Sequence, residues 1–471
     1  MKPSEYDIGM IGLGVMGRNL VLNMADHGYA VAGYDKDQEK TAALEKEGQG
    51  KKVYGARSMK EFVDSLKTPR AVMFLVPAGK PVDSVLDDVV PLLDAGDVII
   101  DGGNSHYVDT DRRALTLADK KIEFIGMGVS GGEKGARFGP SMMPGGSEKG
   151  YERVSDILEA ASAKVDNDPC ITFLGPRSAG HYVKMVHNGI EYALIQLLAE
   201  TYDLMKRGLG FDNDRLHVVY DDWNKGELQS FLVEITADIF NRNDDKTGKR
   251  LIDIVRDEAR QKGTGKWTSQ DAMDLQVPIP TIDAAVSGRD LSAYKAERVA
   301  AADLMKVKTA DFSGDSEDFV HSLREAFHFA MIVSYSQGMA LLRTASRKYE
   351  YNTSLPDVAR IWRGGCIIRA KLLENIRAAF SKNPDLPNLM VDQQFLNDVT
   401  SRHEAIRQVV RTAIDIGIPV PAFSASLAYF DGYRSSRLPA NLIQAQRDDF
   451  GAHTYERVDE EGTFHTEWAG K

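Results

Sequence analysis

The rhythm of apolar and polar positions changes once along the chain. Over the first third, short apolar runs alternate with amphipathic stretches: Asp7-IGMIGLG, Tyr29-AVAGYD, Ala71-VMFLVP, Asp97-VIIDGGN, Lys121-IEFIGMGVSGG and Cys170-ITFLGP. Apolar runs of about five residues separated by helical periodicity are the pattern of buried parallel strands in a doubly wound sheet. The sheet is expected to end near Pro176. From Ala179 onward a helical period takes over. His181–Lys206 reads as one helix of about 25 residues, with only Gly189 as a breaker. Further helices are expected around Gln229–Phe240, Glu317–Arg347, Leu355–Phe380, Gln393–Ile416 and Ala422–Ser435. The fold class is therefore an α/β Rossmann-like doubly wound domain over 1–178, an all-α domain over 179–434 and a C-terminal tail over 435–471.

Two segments of the helical region align with each other given a two-residue gap. Tyr192-ALIQLLAETYDLMKRGLGFDNDRLHVVYDDWNKG runs beside Phe329-AMIVSYSQGMALLRTASRKYEYNTSLPDVARIWRGG. Trp223-Asn-Lys-Gly then matches Trp362-Arg-Gly-Gly, each after a long helix, a turn and a second helix. Shared helical composition would produce some of this, but the common order of elements favours an internal duplication. The tail is polar and cannot bury a core alone. Its Phe450, His453, Tyr455, Phe464 and Trp468 are nonetheless many aromatic rings for a disordered segment, which points to docking on another subunit.

Charge and composition then narrow the class. The 471 residues carry 58 Lys plus Arg against 69 Asp plus Glu, a net charge of −11. That balance argues against a nucleic-acid partner, which needs clustered cations, and is awkward if the substrate is itself an anion. The N-terminus has no apolar core of a secretory signal, and no apolar run approaches about 20 residues, so a soluble, cytoplasmic protein with no membrane segment is expected. Cys170 and Cys366 stand in no metal-ligand spacing; they read as reduced thiols, with a single cross-link as the alternative. No metal site is expected.

Gly12-Leu13-Gly14-Val15-Met16-Gly17 follows an apolar strand and opens a helical run, the setting a dinucleotide fingerprint requires. Its glycines permit a tight turn, backbone approach to a pyrophosphate and close helix packing, and the helix N-terminus offers free N–H donors. Asp35 ends the next strand, where a carboxylate accepts from the adenosine ribose and repels a 2′-phosphate. Lys36 offsets part of that repulsion. Asp35 therefore favours NAD over NADP.

In the long helix, Lys184, His187, Asn188 and Glu191 fall within an arc of about 100° at about 100° per residue. A solvated charged face would explain such a stripe. The apolar neighbours Met185, Val186, Ile190, Leu194 and Leu197 oppose that reading, and the four types form an acid/base set. Two glycine-bearing loops, Met127-Gly-Val-Ser130-Gly131-Gly132 and Asp101-Gly-Gly-Asn104-Ser, follow apolar strands at the carboxyl end, where open α/β sheets bind ligands. Lys262-Gly-Thr264-Gly-Lys266-Trp267 is a weaker candidate anion loop.

The motifs GLGVMGRNLVLNM at Gly12, DGGNS at Asp101, IGMGVSGGEKGARFGPSMMPGG at Ile125, GHYVKMVHNGIEY at Gly180, QKGTGKWT at Gln261, IWRGGCIIRAKLL at Ile361 and LPANLIQAQRD at Leu438 span essentially the whole chain. With them the chain resembles the decarboxylating 6-phosphogluconate dehydrogenases of the oxidative pentose phosphate pathway. The resemblance implies oxidation of 6-phosphogluconate at C3 with NADP or NAD, then loss of CO₂ to give ribulose 5-phosphate. It implies Lys184 as base and Glu191 as acid. Asn104, Ser130, Gly131, Gly132, His187 and Asn188 would bind the carboxylate and hydroxyl end. Tyr192, Lys262, Thr264 and Arg289 would hold the phosphate. Arg447 and His453 correspond to groups supplied by the second subunit, implying a homodimer whose tails complete neighbouring sites.

The cofactor positions depart from the family pattern. Asp35-Lys36-Asp37 replaces the Asn-Arg-Thr of many NADP-dependent members, Val76-Pro77-Ala78 has proline where lysine or glutamine is common, and Asp449 stands where an aromatic is usual. Losing the arginine and gaining a carboxylate favours NAD or dual use; Asn104 also belongs to the cofactor set. The rivals are a non-decarboxylating β-hydroxyacid dehydrogenase of the same superfamily and an idle dinucleotide-binding sensor.

Overall fold

A computed structural model describes residues 5–468. Its N-terminal part is a seven-stranded sheet of β1 (Ile8–Ile11), β2 (Val31–Tyr34), β3 (Val53–Gly55), β4 (Ala71–Phe74), β5 (Val98–Asp101), β6 (Glu123–Ser130) and β7 (Ser141–Gly146). The order is β3-β2-β1-β4-β5-β6-β7, and only β7 runs antiparallel to its neighbour. Period-two alternation sends Met73 and Ile100 to one face and Val72, Phe74 and Ile99 to the other, each face with its own buried cluster. Both faces are covered, hence the near-continuous apolar runs. The chain thus has an α/β Rossmann-like doubly wound sheet followed by a large helical region.

Two strands lie outside the expected runs. β3 is only Val-Tyr-Gly, and β7 is Ser-Met-Met-Pro-Gly-Gly, whose Pro144 is tolerated because β7 is the last strand of the sheet. The expected strand at Cys170-ITFLGP is corrected. Only Ile171 pairs, with Met142 across a single bridge. Met142 N–H donates to the Cys170 carbonyl (3.0 Å) and Leu174 N–H to the Pro144 carbonyl (2.8 Å), but Pro144 has no N–H with which to continue a ladder. The Arg360 guanidinium donates to the carbonyls of Pro169 (2.7 Å) and Ile171 (3.2 Å).

Helix α1 (Val15–Asp26) follows β1, and α2 (Tyr107–Ala118) follows the loop after β5. The helical region opens with α3 (Ala179–Asp203), 25 residues continued by a π-helical turn at Leu204–Gly208. It continues through α4 (Thr264–Asp274), α5 (Pro280–Ser292), α6 (Ser316–Lys348), α7 (Gln393–Asp415) and α8 (Pro421–Tyr433). α3 and α6 are buried on most sides and pack together; Gly338 of α6 lies against Ile190 and Val186. The single helix expected over Leu355–Phe380 is instead two, Leu355–Ile361 and Leu372–Lys382. They part at Gly364-Gly365, where Gly365 has φ +65° and its carbonyl accepts from Ser141 N–H at 2.7 Å.

After α3 come helices Asn213–Trp223 and Phe231–Asn241; after α6 come Leu355–Ile361 and Leu372–Lys382 in the same order. These two stretches touch at an antiparallel bridge between Ser230 and Ala370. Each long helix also caps a helix following the other. Gln337 on α6 accepts from Thr281 N–H at the start of α5 (3.1 Å), and Glu200 on α3 accepts from Ala422 and Phe423 N–H at the start of α8 (2.8 and 3.0 Å). The capping is reciprocal.

The last segment is ordered around one carboxylate. Helix α9 (Ala440–Gly451) packs on a hairpin of Tyr455–Glu456 and Thr463–Phe464. Buried Asp448 accepts from His465 Nδ1 (2.9 Å), Thr466 N–H (3.0 Å) and Trp468 Nε1–H (2.8 Å). Burial pushes its carboxyl up, but His465 and these donors outweigh it and hold it at about 2. Leu442, Ile443 and Phe450 stay 61, 59 and 76% exposed within one chain. Among the described residues no helix is long and apolar enough to cross a membrane.

Candidate active site

At the dinucleotide end, α1 starts directly after the β1 turn. A Cβ on Gly17 would stand 1.9 Å from the Gly12 carbonyl, so the packing of α1 on the turn requires glycine. A Cβ on Gly14 would meet nothing within 4 Å, leaving an open cradle at the helix N-terminus that fits a pyrophosphate. Leu13 N–H donates to Asp35 Oδ2 (2.8 Å) and Asp37 N–H to Oδ1 (2.9 Å), tying Asp35 to the glycine turn. Asp37 caps the next helix through Glu39 N–H. Lys36 turns away to Asp88 at 2.9 Å, and that carboxylate raises its pKa. Gly12, Asp35, Lys36, Val76 and Pro77 line one cleft of about 260 Å³. Val15 and Ala78 are exposed beside it and Met16 is half-buried.

At the lysine end, α3 lies directly on β6. A Cβ on Gly128 would stand 2.3 Å from Lys184 Cβ, so the strand admits the lysine stem only because residue 128 has no side chain. Lys184 is buried; its Nζ donates to Asn188 Oδ1 (2.8 Å) and lies 3.4 Å from His187 Nδ1. Burial lowers the Lys184 pKa, against the opposing pull of the Glu191 carboxylate. Burial raises that of the half-buried Glu191, against Lys184 and Arg289. Burial and then Lys184 push His187 well below its ordinary value, so it is neutral. His187 Nε2 is 3.3 Å from Ser130 Oγ, at the end of β6. Gly131 follows with φ +109° and Gly132 opens a short helix. Asn188 Nδ2 donates to Thr264 Oγ1 (3.1 Å), joining α3 to α4.

Nearby, the Arg289 guanidinium stacks 3.3 Å from the ring centroid of buried Tyr192. Lys262 is exposed at the mouth of the loop leading to Thr264, and Asn104 is exposed at the tip of the turn after β5. That turn is shaped by buried Asp101, which accepts from Gly103 N–H (3.0 Å) and Ser105 Oγ–H (2.6 Å). A single chain does not bring Arg447 and His453 to this cleft. Both are exposed on the tail, where Arg447 donates to Gln444.

His181 was not among the expected site residues. It is buried one turn before Lys184, with Nδ1 2.7 Å from Thr110 Oγ1 and Nε2 3.1 Å from the Asp101 carbonyl. Burial lowers its pKa, so the ring is neutral and ties α3 to α2 and to the Asn104 turn. Its place before the lysine is visible in the sequence, but its partners lie 71 and 80 positions away.

Two family models account for nearly the whole chain: the NAD binding domain of 6-phosphogluconate dehydrogenase over residues 7–175 and the C-terminal domain of the same enzyme over 180–468. The NADP(+)-dependent, decarboxylating 6-phosphogluconate dehydrogenase of Bacillus subtilis is 51% identical over 466 residues, 99% of both chains. The decarboxylating enzyme of Lactococcus lactis is 49% identical over 468 residues, again 99% of both. The solved structure of the Plasmodium falciparum 6-phosphogluconate dehydrogenase, studied apo, with NADP+ and with 6-phosphogluconate, superposes with a TM-score of 0.95 at 45% identity, covering 98% of this chain and 100% of that one. The matches include the tail, which favours the decarboxylating reading over the shorter β-hydroxyacid dehydrogenases. By sequence, fold and extent, the chain belongs to the 6-phosphogluconate dehydrogenase family.

Proposed function

We propose that this protein oxidises 6-phosphogluconate at C3 and decarboxylates the product to ribulose 5-phosphate, as its relatives' names describe. The observation that carries this is Lys184, an amine buried under Gly128 with no carboxylate in hydrogen-bond contact. The bound dinucleotide supplies the hydride acceptor. Neutral Lys184 takes the C3 hydroxyl proton as hydride leaves C3, with Asn188 holding the amine and His187 and Ser130 facing the substrate's carboxylate end. Reprotonated Lys184 then hydrogen-bonds the 3-keto oxygen. The C1–C2 bond breaks, CO₂ leaves and its electron pair forms the enediol, which the ammonium stabilises without a metal. Glu191, whose pKa burial raises, delivers a proton to the enediol carbon that becomes C1 of ribulose 5-phosphate. Lys262, Thr264, Arg289 and Tyr192 take the phosphate.

Either dinucleotide is proposed to serve. The relative from Bacillus subtilis is named NADP(+)-dependent, whereas here Asp35 and Asp37 flank the ribose position and Lys36 is engaged by Asp88. The chain is proposed to act as a homodimer, because Arg447 and His453 face no cleft of their own chain and α9 exposes Leu442, Ile443 and Phe450.

Initial rates on 6-phosphogluconate with NAD and NADP in parallel, with CO₂ trapped, test the reaction. One CO₂ per reduced dinucleotide is expected; reduction without CO₂ would restore the β-hydroxyacid dehydrogenase reading, and no reduction the sensor reading. A kcat/KM advantage for NADP beyond about a hundredfold, or about 2.7 kcal/mol, would sink dual use. Mixing refolded Lys184→Ala and Arg447→Ala chains tests the shared site. In a mixed dimer one site receives both defects and the other neither, so activity should reappear; no recovery would place Arg447 outside the neighbouring site.

A further inference from the structure

A cluster that the proposed mechanism does not use lies between the two parts of the chain. Asp271 on α4 is 3% exposed, and its carboxylate accepts from three tyrosine hydroxyls. Tyr107, in the first turn of α2, donates to Oδ1 at 2.5 Å. Tyr349, just after α6, donates to the same oxygen at 2.7 Å, and Tyr182 of α3 donates to Oδ2. Burial raises the pKa of all three hydroxyls, so all three remain donors. Of the three, only Tyr107 comes from the sheet-bearing part. Beside it, His106 packs on Trp267 of α4 with ring centroids 4.7 Å apart.

The contacts form one continuous chain across the cleft. A Cβ on Gly103 would lie 3.2 Å from the Val76 carbonyl, so the Asn104 turn abuts the cofactor strip. Three residues beyond Asn104, Tyr107 is clamped to Asp271. α4 begins at Thr264, which accepts from Asn188, and Asn188 accepts from Lys184 Nζ. Thr268 of α4 also donates to the Met185 carbonyl at 2.9 Å. Moving α2 relative to α4 must therefore displace the Asn104 turn against Lys184, or break a buried O–H···O⁻ bond. Such a bond resists breaking because the carboxylate would be left short of a donor away from water.

We propose that Asp271 and Tyr107 are positioning residues that set the distance between the Asn104 turn and Lys184, and hence the geometry of hydride departure from C3. This rests on the proposed oxidation of 6-phosphogluconate.

The test compares Tyr107→Phe, Asp271→Asn and Tyr349→Phe in the full chain. Tyr349→Phe removes the same kind of bond to Asp271, together with a longer 3.4 Å contact to the Tyr107 hydroxyl, but leaves the Tyr107–Asp271 bond across the cleft in place. Two readouts go beyond overall stability: the primary isotope effect with 6-phosphogluconate deuterated at C3, which reports the hydride step, and backbone hydrogen exchange over residues 104–110 in the protein without ligands, which reports local opening of the Asn104 turn. Tyr107→Phe should lower kcat about five- to twentyfold, raise the isotope effect and speed exchange over 104–110 at least fivefold. Tyr349→Phe should leave the isotope effect at the wild-type value. Asp271→Asn should match or exceed Tyr107→Phe, and the double variant should add little to it. Equal isotope effects in wild type and Tyr107→Phe, or an equal rise in Tyr349→Phe, would overturn the proposal. A wild-type protein that does not oxidise 6-phosphogluconate would instead overturn the functional reading, leaving the exchange comparison to judge the clamp.

Discussion

The two long central helices place polar side chains at aligned positions, yet only one of them carries the proposed acid/base centre. In α3 the stripe is Lys184, His187, Asn188 and Glu191; continuing the alignment without a gap puts His321, Arg324, Glu325 and His328 at the matching places in α6. The first stripe is covered by a glycine-bearing strand that brings no counter-charge, so burial lowers the lysine and raises the glutamate. The second is covered by α7, which brings Arg402. That guanidinium pairs with Glu325 (2.8 Å), Glu227 (2.9 Å) and Asp398 (3.2 Å), and His328 is pushed to about 4 by burial and then by Arg402. Similar polar patterns therefore give the proposed site in one place and a closed ion network in the other. The covering element decides: bare backbone leaves charges uncompensated and reactive, whereas a matched cation satisfies them.

The contrast is most strongly tested at Lys184. Lys184→Ala should lower kcat for 6-phosphogluconate oxidation by about 10³–10⁴-fold, whereas His321→Ala at the matching, exposed position should change it less than about twofold, within ordinary surface effects. Steady-state assays of the two variants side by side would show equal losses if the contrast were wrong.

Glu191→Gln should follow, with a loss of about 10²-fold in overall turnover and no tritium exchange at C1 of ribulose 5-phosphate. Retained exchange would remove Glu191 from the acid role. Arg402→Ala should do the reverse: about 2–4 kcal/mol of stability lost, because three carboxylates are left without their cation, with turnover per folded molecule nearly intact. Denaturant melts paired with active-site titration separate these two effects.

The smallest effect concerns the caps. Glu200 and Gln337 occupy aligned places and cap opposite helices, but burial pushes Glu200 up to about 7 against the donors Ala422 N–H, Gln196 and Phe423 N–H. Its folded pKa lies above the ordinary glutamate value of about 4.3, so the folded state holds the proton longer. Stability is therefore lost as pH rises from about 4.3 to about 7, by up to about 4 kcal/mol, and no further above that. Glu200→Gln, which copies Gln337, should melt higher than wild type at pH 8, with the gap shrinking towards pH 4.5. A gap independent of pH would mean that Glu200 is ionised in the fold throughout.

Much of this was legible in residue order. The alternating runs marked five of the seven sheet strands, and helical spacing placed Lys184, His187, Asn188 and Glu191 on one face. Local pattern could not show β7, because its Pro144 and glycines carry turn chemistry and only edge placement makes them acceptable in a strand. It could not show that Cys170–Pro176 forms only one bridge beside β7, whose Pro144 has no N–H with which to continue a ladder. Nor could spacing separate the α3 stripe from the α6 one, since what covers each helix is a long-range fact. Resemblance to a family, not periodicity, identified Arg447 and His453, and they remain outside the cleft of a single chain.

The pH dependence of kcat/KM for 6-phosphogluconate, in wild type and in Glu191→Gln, tests most directly whether Lys184 works as a buried neutral base. Wild type should give a bell whose ascending limb, the deprotonation of Lys184, lies below the ordinary lysine value of about 10.4. Its descending limb should disappear in Glu191→Gln. An ascending limb at the ordinary lysine value, or a descending limb unchanged in Glu191→Gln, would contradict the assignment of the pair.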